Sequence, residues 1–165
     1  MLHKVSIAGM TMDPASNTPI IILKPEDDDR AIPIWIGLLE ATSIASVLQD
    51  IKLDRPMTHD LFKNLLDRLQ ISVDKIEVCD LKENTFYAKI HFSSAGKSFS
   101  MDSRPSDAIA IALRFDAPIF IDDKVIEKSQ QGYGEGEILD KSKKGKEWAD
   151  YLSSLSPDDF GKFKV

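Results

Sequence analysis

The sequence predicts an α+β fold in which a β-β-β-α-α unit is used twice within one domain, as antiparallel meanders with helices packed on them, followed by a C-terminal helical tail. Three observations carry this expectation. Strand-like runs come in two groups of three, each group leads into a stretch of helical period, and the two groups superpose. Displacing the chain by 67 residues sets RAIPIWIGLLEATSIASVL over KSFSMDSRPSDAIAIALRF, so that Glu40 meets Asp107, Ala41 meets Ala108, Ile44 meets Ile111 and Ala45 meets Ala112. The domain is expected over 1–130, in halves of about 1–70 and 71–130, with a linker and helical tail over 131–165.

In the first half the strand runs are HKVSIAG, then TPIIILK after a turn at DPASN, then RAIPIWI after the acidic turn PEDDD. From Leu38 the apolar positions Leu38, Ala41, Ile44, Ala45, Leu48 and Ile51 recur every three or four residues, one face of a helix. A second helix is expected from an N-cap at Thr58, with Leu61, Phe62, Leu65, Leu66 and Leu69 on its buried side. The second half repeats the order with VDKIEVCDL, TFYAKIHF, KSFSMDS and the helix PSDAIAIALRF. Each first helix is followed by an Xaa-Pro pair, Arg55-Pro56 and Ala117-Pro118, and a second helix is expected near Asp122. Beyond it, QQGYGEGE reads as a linker. KSKKGKEWADYLSSL reads as a helix with an apolar side at Trp148, Tyr151, Leu152 and Leu155, and Ser156 with Pro157 starts a last short one.

Composition sets limits on function. With 42% hydrophobic and 29% charged residues and no long apolar run, the chain reads as a soluble, cytoplasmic protein without a membrane segment or signal peptide. The single cysteine, Cys79, sits in an alternating run and reads as a structural thiol on a strand. A net charge of -6 argues against binding nucleic acid mainly through a basic surplus, because counterion release drives such binding. A local basic patch, or divalent cations bridging carboxylates to phosphate, would be needed instead. No P-loop, G-x-G-x-x-G, H-E-x-x-H or paired C-x-x-C pattern is present, so a nucleotide cradle, a dinucleotide site, a zincin and a zinc ribbon are unsupported.

Two polar clusters stand out. In DSRPSDAIAIALRF, Pro105 fits the first helical position and favours an extended Arg104 before it. Asp107 then lies third in the helix, where a carboxylate complements the helix dipole, as Glu40 does after Gly37 in the first half. Capping therefore accounts for both carboxylates. It does not account for Arg104, which has no acceptor to cap with, or for Asp102, which stands where the first half has Trp35. Arg104 and Ser106 at a helix start also suit a phosphate. In DRPMTHDLF, His59 at a positive helix end is favoured neutral, which suits either an exposed histidine or a ligating or proton-transferring one.

PIWIGLLEATSIA, DRPMTHDLF and DSRPSDAIAIALRF, in that order, closely resemble the bifunctional nuclease domain family, over about residues 1–130. The resemblance implies hydrolysis of phosphodiester bonds in DNA and RNA by a self-associating domain, a dimer being favoured. By matching, it carries over Glu40, Arg55, Thr58, His59, Asp60, Arg104, Ser106 and Asp107. From these we expect Glu40, His59 and Asp107 to be catalytic, His59 as general acid or base. Arg55, Arg104 and Ser106 would bind the substrate, and Glu40, Asp102 and Asp107 would hold Mg²⁺ or Mn²⁺. The alternative is a non-enzymatic, homo-oligomeric binding or regulatory module in which these residues are caps and ion pairs, Arg104 pairing with Glu40 between the halves.

Overall fold

A computed structural model describes residues 1–134 of the chain, with side chains to residue 130. Its elements are β1 (Leu2–Met12), β2 (Pro19–Pro25), β3 (Ile32–Trp35), α1 (Leu38–Leu48), α2 (Thr58–Arg68), β4 (Ser72–Lys82), β5 (Thr85–Ser94), β6 (Lys97–Ser103), α3 (Pro105–Phe115), β7 (Ile119–Asp122) and α4 (Asp123–Gly134). Among the described residues the fold is α+β, with four helices and one mixed sheet of seven strands in the order β3-β2-β1-β7-β4-β5-β6.

The two meanders form where alternating runs meet tight turns. β4 and β5 are joined through Glu83 and Asn84, both at positive φ, and β5 and β6 through Ala95 and Gly96, also both positive. Such two-residue turns match the twist of the strands that they join. The β1–β2 turn is held by Asp13, whose carboxylate accepts from the Ala15 N–H and the Ser16 hydroxyl, both at 2.9 Å.

The sequence reading lacks β7. This strand lies antiparallel to β1 (His3 opposite Ile121) and parallel to β4 (Glu77 opposite Phe120), so it joins the two meanders into a single sheet. Four residues between Pro118 and the helix start are too few to show a period of their own.

Helices α1 and α3 pack against each other over the sheet. Small residues on the buried faces allow this: Ala41, Ser43, Ala45 and Ser46 on α1, and Ala108, Ala110 and Ala112 on α3. Ile44 and Ile109 are fully buried among Ile21, Leu23, Ile76 and Phe92, each such side chain contributing roughly 1.5–3 kcal/mol. The close packing brings the N-terminal ends of the two helices within reach of each other's side chains, as the Glu40–Arg104 pair described below shows.

Several expected buried positions are exposed. On α1 only Ala41, Ile44 and Ala45 of the predicted stripe are buried; Leu38, Leu48 and Ile51 face outward, the helix ending at Leu48. Of the predicted side of α2, Leu66 is buried and Phe62 packs on the core, whereas Leu61, Leu65 and Leu69 are exposed. The reason is that α2 packs along α3, so only part of its apolar arc meets a partner. Helix α4 continues to Gly134, into the stretch expected to be a linker; the tail helices expected further on lie outside the described residues. Among the described residues no helix is long and apolar enough to cross a membrane.

Candidate active site

The site forms at the starts of α1 and α3. Arg104 is the N-cap of α3, extended at φ -68°, ψ 145°, with Pro105 as the first helical residue; Gly37 takes the same position for α1 at φ -70°, ψ 158°. Neither cap residue makes a side-chain capping bond. Gly37 is needed for space: a Cβ there would lie 2.1 Å from Glu40 Oε2, which folds back over the helix start.

Arg104 joins the helices. Its Nη1 forms an ion pair with Glu40 Oε1 at 2.9 Å, while its Nε donates to Asp107 Oδ2 at 2.6 Å and its Nη2 to Asp107 Oδ1 at 3.1 Å. His59, at the start of α2, lies 2.9 Å from Asp107 Oδ1 through Nε2, and Ser43 Oγ lies 2.7 Å from His59 Nδ1. Behind Ser43 sits Arg114, whose Nη2 donates to Ser43 Oγ at 3.2 Å and to Ser43 O at 3.3 Å. Its Nε donates to Asp60 Oδ1 at 2.7 Å. Asp60 Oδ2 accepts from the Met57 N–H at 2.9 Å. That bond closes the start of α2, so Met57 rather than the expected Thr58 is its N-cap.

This order of donors fixes the imidazole. Because the Ser43 hydroxyl accepts from Arg114, its own proton points to His59 Nδ1, and the remaining ring N–H, on Nε2, is donated to Asp107. The trio has the composition of a nucleophilic triad, but Ser43 is only 3% exposed and no substrate can reach its hydroxyl. Its chemical effect is to orient His59 against Asp107. Burial pushes the Asp107 carboxyl up in pKa, but the hydrogen bonds from Arg104 and His59 outweigh it and hold the group below its ordinary value. Burial acts the same way on Asp60 and is outweighed by Arg114 and the Met57 N–H.

The network has a wet end and a dry end. The Arg104 side chain is 65% exposed and the Arg114 side chain 4%. Arg104, Pro105 and Ser106 form part of the wall of an open cleft of about 870 Å³, which is also lined by Trp35, Ile36 and Gly37, by the β4–β5 turn with Phe86, and by Lys128 of α4.

The structure thus brings together Glu40, His59, Arg104 and Asp107, and it places Ser106 beside them on the cleft. It does not bring in Asp102 or Arg55. Asp102 is opposite Lys89 on β6, and strand alternation puts it on the other side from Phe99 and Met101, which are in register with the core residues Phe92 and Ile90. It therefore points to the sheet face away from α3. Arg55 lies exposed before α2, with no hydrogen bond or ion pair among the described residues. The metal set Glu40, Asp102 and Asp107 is accordingly not assembled, and among the described residues no group of three or more His, Cys, Asp or Glu side chains is placed to hold a metal ion. Both Asp107 oxygens are already taken by cationic or N–H donors.

Ser43 and Arg114 were missed by the sequence reading. A serine among Ala41, Ile44 and Ala45 was the available signal for the first. Arg114 in the last turn of α3 looks like an ordinary basic residue at a helix end. Cys79 agrees with its reading: it lies in a β4 bulge, half-buried, and burial raises its thiol pKa.

Comparison with known proteins identifies the group to which these motifs belong. The family model of the bifunctional nuclease domain matches residues 21–133. An uncharacterized protein of Mycobacterium tuberculosis is 33% identical over 164 residues, covering 96% of this chain and 98% of its own. Bifunctional nuclease 1 of Oryza sativa subsp. indica is 27% identical over 109 residues, 64% of this chain, and that of Arabidopsis thaliana 29% over 105 residues, 61% of this chain. The matched part spans about a third of each plant protein.

Proposed function

Because the chain belongs to the bifunctional nuclease domain family, we propose that it hydrolyses phosphodiester bonds of DNA and RNA at the Arg104 site. The observation that carries this is one exposed guanidinium, clamped between Glu40 and Asp107 at the wall of an open cleft. A phosphate entering the cleft meets Arg104 together with the Ser106 hydroxyl and the free N–H groups of the first turn of α3. These donors stabilise the charge that builds on the phosphoryl oxygens in the transition state. Asp107 holds the guanidinium in place and is itself held by His59, whose ring is fixed by Ser43.

A nuclease also needs a base for water. Both Asp107 oxygens are occupied and both His59 nitrogens have partners. Glu40 Oε2 has none among the described residues, which makes it the best placed group to accept the proton. His59 is then an orienting residue and not the base. Divalent-metal dependence is part of the proposal only if Mg²⁺ or Mn²⁺ enters with the substrate, held by phosphate oxygens and the free side of Glu40. The described residues alone offer no complete donor set. The proposal also includes a dimer in solution and an origin of the two halves by duplication.

The same geometry supports a second reading. Glu40 and Arg104 make the ion pair between halves that a purely structural motif would make, and a binding or regulatory module would need no more. Cleavage of labelled single- and double-stranded DNA and RNA separates the two. With EDTA and with added Mg²⁺ or Mn²⁺ as parallel arms, Arg104→Met is expected to lower the rate by about 10²–10³, the usual effect of removing a transition-state donor, and Asp107→Asn, which loosens the guanidinium, is expected to lower it as well. Asp102→Asn is expected to leave it unchanged. Undiminished cleavage by folded Arg104→Met and Asp107→Asn would refute the assignment, and no cleavage by the wild type would favour the module.

A further inference from the structure

We propose that the cleft takes one unpaired nucleotide of a single strand, its base against Phe86 and its phosphate on Arg104, Ser106 and the start of α3. This rests on the nuclease reading and deepens it by naming the substrate class.

Three observations lead there. The first is Ser106. The residue is 6% exposed, lines the cleft, and its hydroxyl has no hydrogen-bond partner among the described residues. Among the described residues no fully buried side-chain polar atom lacks a partner, so this hydroxyl reaches the open space of the cleft. A polar group that is otherwise enclosed and left without a protein partner is suited to a ligand acceptor. It stands in the first turn of α3, next to Arg104 and to N–H groups that have no intrahelical acceptor.

The second is the apolar part of the lining. Ile34, Ile36, Leu81 and Phe86 line the same cleft as Arg104 and Ser106 and give it an apolar stretch with an aromatic face at Phe86. Phosphate alone would not need it. A base would, because stacking on aromatic side chains is a large and sequence-tolerant part of single-strand binding. The volume, about 870 Å³, is that of a small-molecule site rather than a duplex-sized groove.

The third is charge. Lys128 lies on the same cleft, 44% exposed and paired with Asp80 at 2.8 Å, as Arg104 is paired with Glu40 and Asp107, so both cations are held in place at the cleft by carboxylates. A neighbouring phosphate of the same strand can accept from the ammonium donors that Lys128 does not give to Asp80. In a duplex the base is paired and stacked and would have to be flipped out of the stack to reach Phe86.

The test is fluorescence anisotropy with labelled dodecathymidylate and a twelve-base-pair duplex, in EDTA at 4 °C, with oligonucleotide length checked afterwards on a gel. The single strand is expected to bind at least about tenfold more tightly than the duplex. Phe86→Leu, which keeps core volume but removes the aromatic face, should weaken it about tenfold, and Phe86→Tyr should restore it. Ser106→Ala should weaken it several-fold without lowering Tm, since its hydroxyl has no partner among the described residues to lose. Equal affinity for duplex and single strand, or unchanged binding by folded Phe86→Leu, would overturn the inference. Cleavage assayed on the same oligonucleotides keeps the two claims apart. Selective single-strand binding without any cleavage would sink the nuclease reading alone, and efficient cleavage with equal affinities would sink the base-in-cleft reading alone.

Discussion

Replacing Arg114 by methionine removes a cation that is 4% exposed and makes four hydrogen bonds: to Asp60, to Ser43 Oγ, to Ser43 O and to Ala110 O. Methionine fills much of the volume, so the loss is electrostatic. Stripping one partner from a buried pair costs about 3–5 kcal/mol, but Asp60 is 36% exposed and water replaces part of what it loses. The two carbonyls lose an added donor only. A net cost of about 2–3 kcal/mol follows, which for a chain of this size is a fall of roughly 6–9 °C in Tm. The same substitution at Arg104, whose side chain is 65% exposed, should cost no more than about 1 kcal/mol despite three ion-pair contacts, because exposed pairs are screened by solvent. Thermal unfolding followed by circular dichroism measures both. Equal Tm losses in the two variants would refute the division into a solvent-facing binding end and a buried supporting end. It would also make Arg104 a structural residue.

Two further outcomes follow from the geometry. Gly37→Ala should fold with nearly unchanged Tm, since φ -70° suits alanine and only the flexible end of Glu40 must move. It should nevertheless lose most cleavage, as Glu40 is displaced from Arg104; full activity would remove Glu40 from the reaction. His3 sits between Asp27, 2.8 Å from Nδ1, and Asp123 at Nε2, and these carboxylates, Asp27 first, raise its pKa. A raised histidine stabilises the fold fully below its unfolded pKa of about 6.5 and loses that contribution as pH rises through its folded value. Urea midpoints should therefore fall on the alkaline side of about pH 6.5 in the wild type and flatten in His3→Gln; parallel profiles would contradict it.

Much of this was legible in the sequence because it was local. Six of the seven strands announce themselves by alternation, and the Pro105 and Gly37 helix starts by residue type. The 67-residue displacement that pairs Glu40 with Asp107 pointed to two residues that share one arginine in space. What stayed hidden depends on which surfaces meet. Alternation gives the face of β6 that Asp102 occupies, but not that α3 packs on the opposite side of the sheet, against β4 and β5. The apolar arc of α2 shows a helix, but not that Leu61, Leu65 and Leu69 lack a partner. Arg114 is invisible as a buried residue until α1, α2 and α3 are seen to close around it.

The short strand β7 makes assembly wait for the end of the domain. Ribosomes release the β1–β2–β3 ribbon first, then β4–β5–β6, and each has an unpaired inner edge, at β1 and at β4, until Ile119–Asp122 emerges to bind both. Closing that seam brings residues more than a hundred positions apart together, a slow step by the cost of long-range contacts. Chains truncated before Ile119 would carry two sticky strand margins, the usual route to clumping. For this protein, premature termination is a hazard to solubility before it is a loss of activity.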